Sequence, residues 1–118
     1  TFKVVTFAAE PASAGTPYVM YTVASSTTAV VLGLVLSNIN TAAVTAEVEL
    51  VSTTSSRGGA NNVANGTSFL IKDVSIPVGS SLEILSGGKV VLEAGDKIQI
   101  DCSVADKLSG TLSIMEIT

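Results

Sequence analysis

The side chains most able to do chemistry here are carboxylates. Glu47 and Glu49 lie two residues apart within Ala42–Val51. A glycosidase pair needs two carboxyls facing each other across a cleft, about 5–9.5 Å apart. Glutamates at i and i+2 of a strand share one face instead and describe a solvated surface. Asp96, Asp101 and Asp106 are spaced by five, which matches no calcium-loop spacing; turn and strand-face positions account for them. The chain has no His and one Cys, Cys102. Without His there is no Ser-His-Asp or Cys-His machinery and no His-bearing zinc site. One Cys makes no internal disulfide, so oxidising export is not implied. Neither Gly-x-x-x-x-Gly-Lys-Ser/Thr nor Gly-x-Ser-x-Gly occurs, and Gly58-Gly59 precedes no helix signal, which leaves phosphate capture without a cradle. The residues predict no catalytic group, cofactor or metal, and hence a non-enzymatic protein.

Charge narrows the partners. Lys plus Arg number 6 and Asp plus Glu 10, a formal net charge of −4. Neutralising phosphates needs the opposite balance, and an anionic membrane surface is disfavoured for the same reason. The five lysines are scattered, and Arg57 is the only Arg. No nucleic-acid or membrane partner is expected. The longest apolar run, Ala29–Leu36, falls well short of the ~20 residues of a spanning helix. Thr1-Phe2-Lys3-Val4-Val5 lacks a basic-then-apolar signal layout, and Thr1 is a small residue of the kind left by trimming an initiator Met.

The elements that must position these residues read as strands. Val, Ile and Thr together make 37 of 118 residues, and β-branched side chains favour pleated strands. Turn residues divide the chain into Phe2–Ala8, Tyr18–Ala24, Ala29–Asn38, Ala42–Val51, Ser68–Ile76, Leu82–Leu85, Lys89–Leu92, Lys97–Val104 and Thr111–Ile117. Pro, Gly, Ser and Asn clusters separate them, Ser109-Gly110 among these, and Glu93-Ala94-Gly95-Asp96 reads as closing a hairpin before Lys97–Val104. Ala42–Val51 alternates as a half-buried antiparallel strand does. Ile98, Ile100, Cys102 and Val104 share an apolar face, so Cys102 reads as a buried, inert thiol.

Strict alternation in Ala29–Asn38 puts Val30, Leu32, Leu34 and Leu36 on one face and Val31, Gly33 and Val35 on the other. A strand apolar on both faces is covered on both, by the chain's own loops or by another subunit. Ser52–Gly66 is the longest loop candidate, either a partner-contacting arm or a hairpin tip without a partner. Asn65-Gly66-Thr67 matches a glycosylation acceptor but reads as a turn, since Asn-Gly suits positive φ. The expected architecture is one all-β domain over residues 1–118, an antiparallel two-sheet β-sandwich of jelly-roll or immunoglobulin-like type with eight or nine short strands. Residues 1–16 are a candidate N-terminal arm.

Two stretches carry a family resemblance. One is Ile76-Pro77-Val78-Gly79-Ser80-Ser81-Leu82-Glu83-Ile84-Leu85, continuing Gly88-Lys89-Val90-Val91-Leu92-Glu93-Ala94-Gly95-Asp96-Lys97-Ile98. The other is Tyr21-Thr22-Val23-Ala24 with Thr27-Thr28-Ala29-Val30-Val31. They resemble small β-sandwich structural proteins of tailed-bacteriophage virions, cyanophages included. The usual opening there is Tyr-Thr-Val-Pro-Ala-Gly; here Ala24-Ser25-Ser26 stands in its place. The resemblance covers roughly residues 17–104 and brings no catalytic residue. It implies a capsid decoration or cement protein, or a neck or tail adaptor or fibre-anchoring protein. It also implies a virion location after assembly in a bacterial cytoplasm, with copies of the chain (a trimer first) and other virion proteins such as the major capsid protein as partners. Candidate subunit contacts are Phe2, Val31, Val35, Arg57, Asn61, Asn62, Met115 and Ile117. A glycan- or receptor-binding sandwich is the reading from another class. For it the chain offers Phe2, Phe7, Tyr18, Tyr21 and Phe69 but no Trp, a thin set for a sugar cleft.

Overall fold

The computed structural model describes residues 1–52, 66–85 and 88–118. Among them run nine strands: β1 (Phe2–Glu10), β2 (Tyr18–Thr22), β3 (Thr28–Asn38), β4 (Val44–Val51), β5 (Thr67–Ile76), β6 (Ser81–Ile84), β7 (Val90–Leu92), β8 (Lys97–Cys102) and β9 (Leu108–Ile117). The described residues contain no helix. Every strand pairing is antiparallel.

Two sheets result. The first has the order β1-β9-β3-β6, with β7 also paired to β3; the second has the order β2-β8-β4-β5. β6 pairs with Leu34–Ser37 and β7 with Ala29–Val31, so together they make one interrupted edge strand along β3. Apart from β4–β5 and β6–β7, each connection carries the chain to the opposite sheet. This alternation between two antiparallel layers is jelly-roll wiring. It selects the first of the two expected sandwich types.

The crossing turns explain much of the polar sequence. Pro77–Ser80 takes the chain from β5 to β6: the Ser80 N–H donates to the Pro77 carbonyl at 3.2 Å, with Gly79 at φ 72°. Positive φ at the third turn position calls for Gly. Glu93–Asp96 is not the closing turn of a hairpin, since β7 and β8 belong to different sheets. It is a corner held by Asp96, which is buried. The Asp96 carboxylate accepts from the Glu93 N–H at 2.9 Å and from the Ser52 hydroxyl at 3.1 Å. Its backbone carbonyl accepts from the Val23 N–H at 2.9 Å. Three connections therefore meet at one aspartate.

The core fills the space between the layers. Leu34, Leu36, Leu108, Leu112 and Ile114 come from the first sheet, Val48, Ile76, Ile98 and Ile100 from the second, all at 1% exposure or less. Each such side chain stabilises the fold by about 1.5–3 kcal/mol relative to exposure. Ser109-Gly110, a break by composition, lies inside β9. The structure also changes the phase of β3. Val31 pairs with Ile114 but Gly33 pairs with Ser113, so Leu32 is an inserted, bulged residue. Bulges re-aim the residues that follow them. Ala29 and Val31 point inward before it, Leu34 and Leu36 after it. Much of the apolar text on both faces of this segment is thus one core-facing row that switches parity.

Candidate functional site

The outer face of the first sheet is built by register. Residues directly opposite each other on neighbouring strands share a face. Phe2 pairs with Met115, Met115 with Val30, and Val30 with Val91. Four strands thereby place one apolar row across the sheet, with Phe2 75% and Val91 61% exposed. Val4 and Ile117 extend it, also exposed. Ser113 sits between Val4 and Gly33 in the next row. Its small side chain leaves a groove of about 400 Å³ lined by Phe2, Lys3, Val4, Leu32, Ser113 and Ile114.

No charged side chain points outward from β1, β9 or β3: the outward positions are Phe, Val, Leu, Ile, Met, Gly, Ala, Ser and Thr. At the edge, Glu83 of β6 stands opposite Val35 and points outward. The charged residues of the β1 and β9 ends turn toward the other sheet. Lys3 Nζ lies 2.8 Å from a Glu116 carboxylate oxygen, and the Tyr21 hydroxyl of β2 donates to the other at 2.5 Å. The hydrogen bonds from Lys3 and Tyr21 hold the Glu116 carboxyl below the ordinary glutamate value. Burial, and then Glu116 itself, push the Tyr21 phenol upward.

The second sheet differs. Glu47 and Glu49 leave β4 on its outer face, opposite Asp101 and Gln99 of β8. Gln99 donates to Glu49 at 2.5 Å, and Lys72 of β5 reaches Glu47 at 3.4 Å while lying 4.5 Å from the centre of the Phe69 ring. Beside them a cavity of about 220 Å³ is lined by Ala14, Gly15, Thr45, Glu47, Asp73, Asp101, Cys102 and Ser103. Burial and the neighbouring Asp73 raise the Glu47 carboxyl, against the pull of Lys72. Asp101 accepts from the Gly15 N–H of the β1–β2 connection at 3.1 Å and from the Cys102 N–H of its own strand at 2.8 Å. Among the described residues no group of three or more His, Cys, Asp or Glu is arranged to hold a metal ion. The two glutamates stand side by side on one strand rather than across a cleft, and Cys102 is a buried thiol of the core.

The residues expected at subunit contacts separate. Phe2 and Ile117 are exposed on the outer face of the first sheet, and Met115 and Val35 are half-buried there. Val31 is 1% exposed, on the core side of the bulge, and presents nothing to a partner. Arg57, Asn61 and Asn62 lie outside the described residues. Residues 2–10 of the expected arm are an integral strand of the sheet. Val4, Val30, Leu32 and Val91 also belong to the face, which only strand register assembles. The two exposed aromatic rings, Phe2 and Phe69, belong to different sheets. No protein-family model, curated protein or solved structure matches the chain.

Proposed function

We propose that the chain is a non-enzymatic structural protein of a tailed-phage virion, a capsid decoration or cement subunit that binds the assembled shell. One observation carries the assembly part of this reading: β1, β9 and β3 present an outer face without charge, on a protein whose other outer face is charged. Contiguous exposed apolar surface marks contact sites. The virion context rests on the resemblance of residues 17–104, and jelly rolls are frequent in viral capsids, an analogy of fold rather than of site. The chain acts by area and not by chemistry. A subunit that binds only the assembled shell stabilises it by mass action. It assembles in the host cytoplasm with copies of itself and with the major capsid protein.

Quantitative mass spectrometry of purified particles tests this. Copies in simple ratio to the major capsid protein support the decoration role. A handful to a few dozen per particle move the chain to the neck or tail. Absence from particles overturns both.

A further inference from the structure

The outer face of the first sheet, with its charge confined to Glu83 at the β6 edge, has the size and chemistry of a self-association surface. We propose that it packs against the same face of a second copy of this chain, as a two-fold dimer. The proposal deepens the assembly reading above and rests on it for its biological setting.

Size comes first. Four strands at ~4.8 Å spacing and about ten residues at ~3.3 Å rise give a face of roughly 600 Å² in projection. Side-chain relief raises its accessible area above that figure. A standard stable interface buries ~800 Å² per partner. The face is thus of the scale that a dimer needs.

Charge comes second. The chain carries −4, so two copies repel wherever their carboxylates approach. On β1, β9 and β3 nothing charged points outward, and Glu83 at the β6 edge is the outward carboxylate of the first sheet's strands; on the second sheet Glu47, Glu49 and Asp101 point outward. Over β1, β9 and β3, away from the β6 edge, two acidic chains meet without facing like charges. A strongly charged partner finds no complement there.

Shape comes third. A two-fold contact uses one patch on both subunits and must be self-complementary. The Phe2–Met115–Val30–Val91 row can lie against its own copy, with the groove over Ser113 open to an aromatic ring such as Phe2. A three-fold ring, as the resemblance implies, needs two different patches per subunit, which a single flat face does not supply.

The test is sedimentation velocity on the full chain across about 1–100 μM, for wild type, Val91→Lys and Phe2→Ser, with Phe69→Ser on the opposite sheet as control. The mutated side chains are exposed, and an unchanged far-ultraviolet circular dichroism spectrum verifies folding. Wild type and Phe69→Ser are expected to dimerise alike, and Val91→Lys to weaken the dimer at least about tenfold, as a charge buried in an apolar contact requires. A monomer throughout, a trimer, or a dimer indifferent to both Val91→Lys and Phe2→Ser overturns the proposal. The particle count reads the two ideas apart. A monomeric chain present on particles sinks the dimer and keeps the decoration role. A Val91-dependent dimer absent from particles does the reverse.

Discussion

The ring of Phe7 occupies the space that a side chain at residue 110 would need. The two residues are paired across β1 and β9. A Cβ on Gly110 would stand 2.6 Å from Phe7 Cζ and 3.2 Å from Leu36 Cδ2, closer than packed atoms tolerate. The ring also meets Tyr18 edge-on, with centroids 5.3 Å apart, which limits where it can go. Gly110→Ala is expected to cost about 1–3 kcal/mol through overpacking. Adding Phe7→Leu is expected to return part of that loss, a coupling that a double-mutant cycle in urea measures. Gly33→Ala, with open space above it, is expected to stay within about 0.5 kcal/mol of wild type.

Glu116 gives the fold an acid limit. Its carboxyl is held low in the folded state by Lys3 and Tyr21. A depressed carboxyl contributes stability that is present above its unfolded value and lost as pH falls through its folded value. Chemical-denaturation midpoints are expected to fall as pH drops below the ordinary glutamate range. In Glu116→Gln that fall is expected to be shallower. Equal slopes in the two proteins would show that Glu116 is not responsible.

Glu47 acts with the opposite sign. Burial and Asp73 raise its carboxyl, so the folded state binds the proton more tightly than the unfolded chain does. Its contribution is full below the unfolded value and is lost as pH rises through the folded one. Glu47→Gln is therefore expected to raise the denaturation midpoint at pH 7 and to leave it nearly unchanged at low pH. Lys72→Gln is expected to lower the pH 7 midpoint, since it removes the ammonium 3.4 Å from that carboxylate.

Truncating the buried Asp96 carboxylate is expected to be costly. Asp96→Ala leaves the Glu93 N–H and the Ser52 hydroxyl without this acceptor at a buried corner, a loss of about 1–3 kcal/mol. Asp96→Asn retains one oxygen and is expected to lose less. Thermal unfolding of the two variants checks the order.

The legible part of this fold is what local composition decides. β-branched runs gave nine strands near their observed bounds, and the alternation Ile98, Ile100, Cys102 placed the thiol in the core. What was illegible depends on partners distant in the chain. Gly110 looks like a breaker, yet it sits in mid-strand because Phe7 needs the room. Leu32 looks like one more alternating residue, and only its pairing with β9 shows that it is inserted. Glu93–Asp96 looks like a hairpin because a corner and a hairpin use the same turn residues. The candidate site suffered likewise. Phe2, Met115 and Ile117 could be named as apolar and terminal, but the row they share with Val30 and Val91 exists only once four strands are in register.

The pairing of β1 with β9 also sets the order of events at the ribosome. Among the described residues β1 has no sheet neighbour other than β9, whose residues Leu108–Ile117 are made about a hundred residues after Phe2. At ~5–20 residues per second, the emerging chain carries an unpaired, Phe- and Val-rich strand for about five to twenty seconds. An unpaired apolar edge invites pairing between chains. Nascent copies on one message are most vulnerable to misassembly in that interval, and a pause in translation before residue 108 would lengthen it.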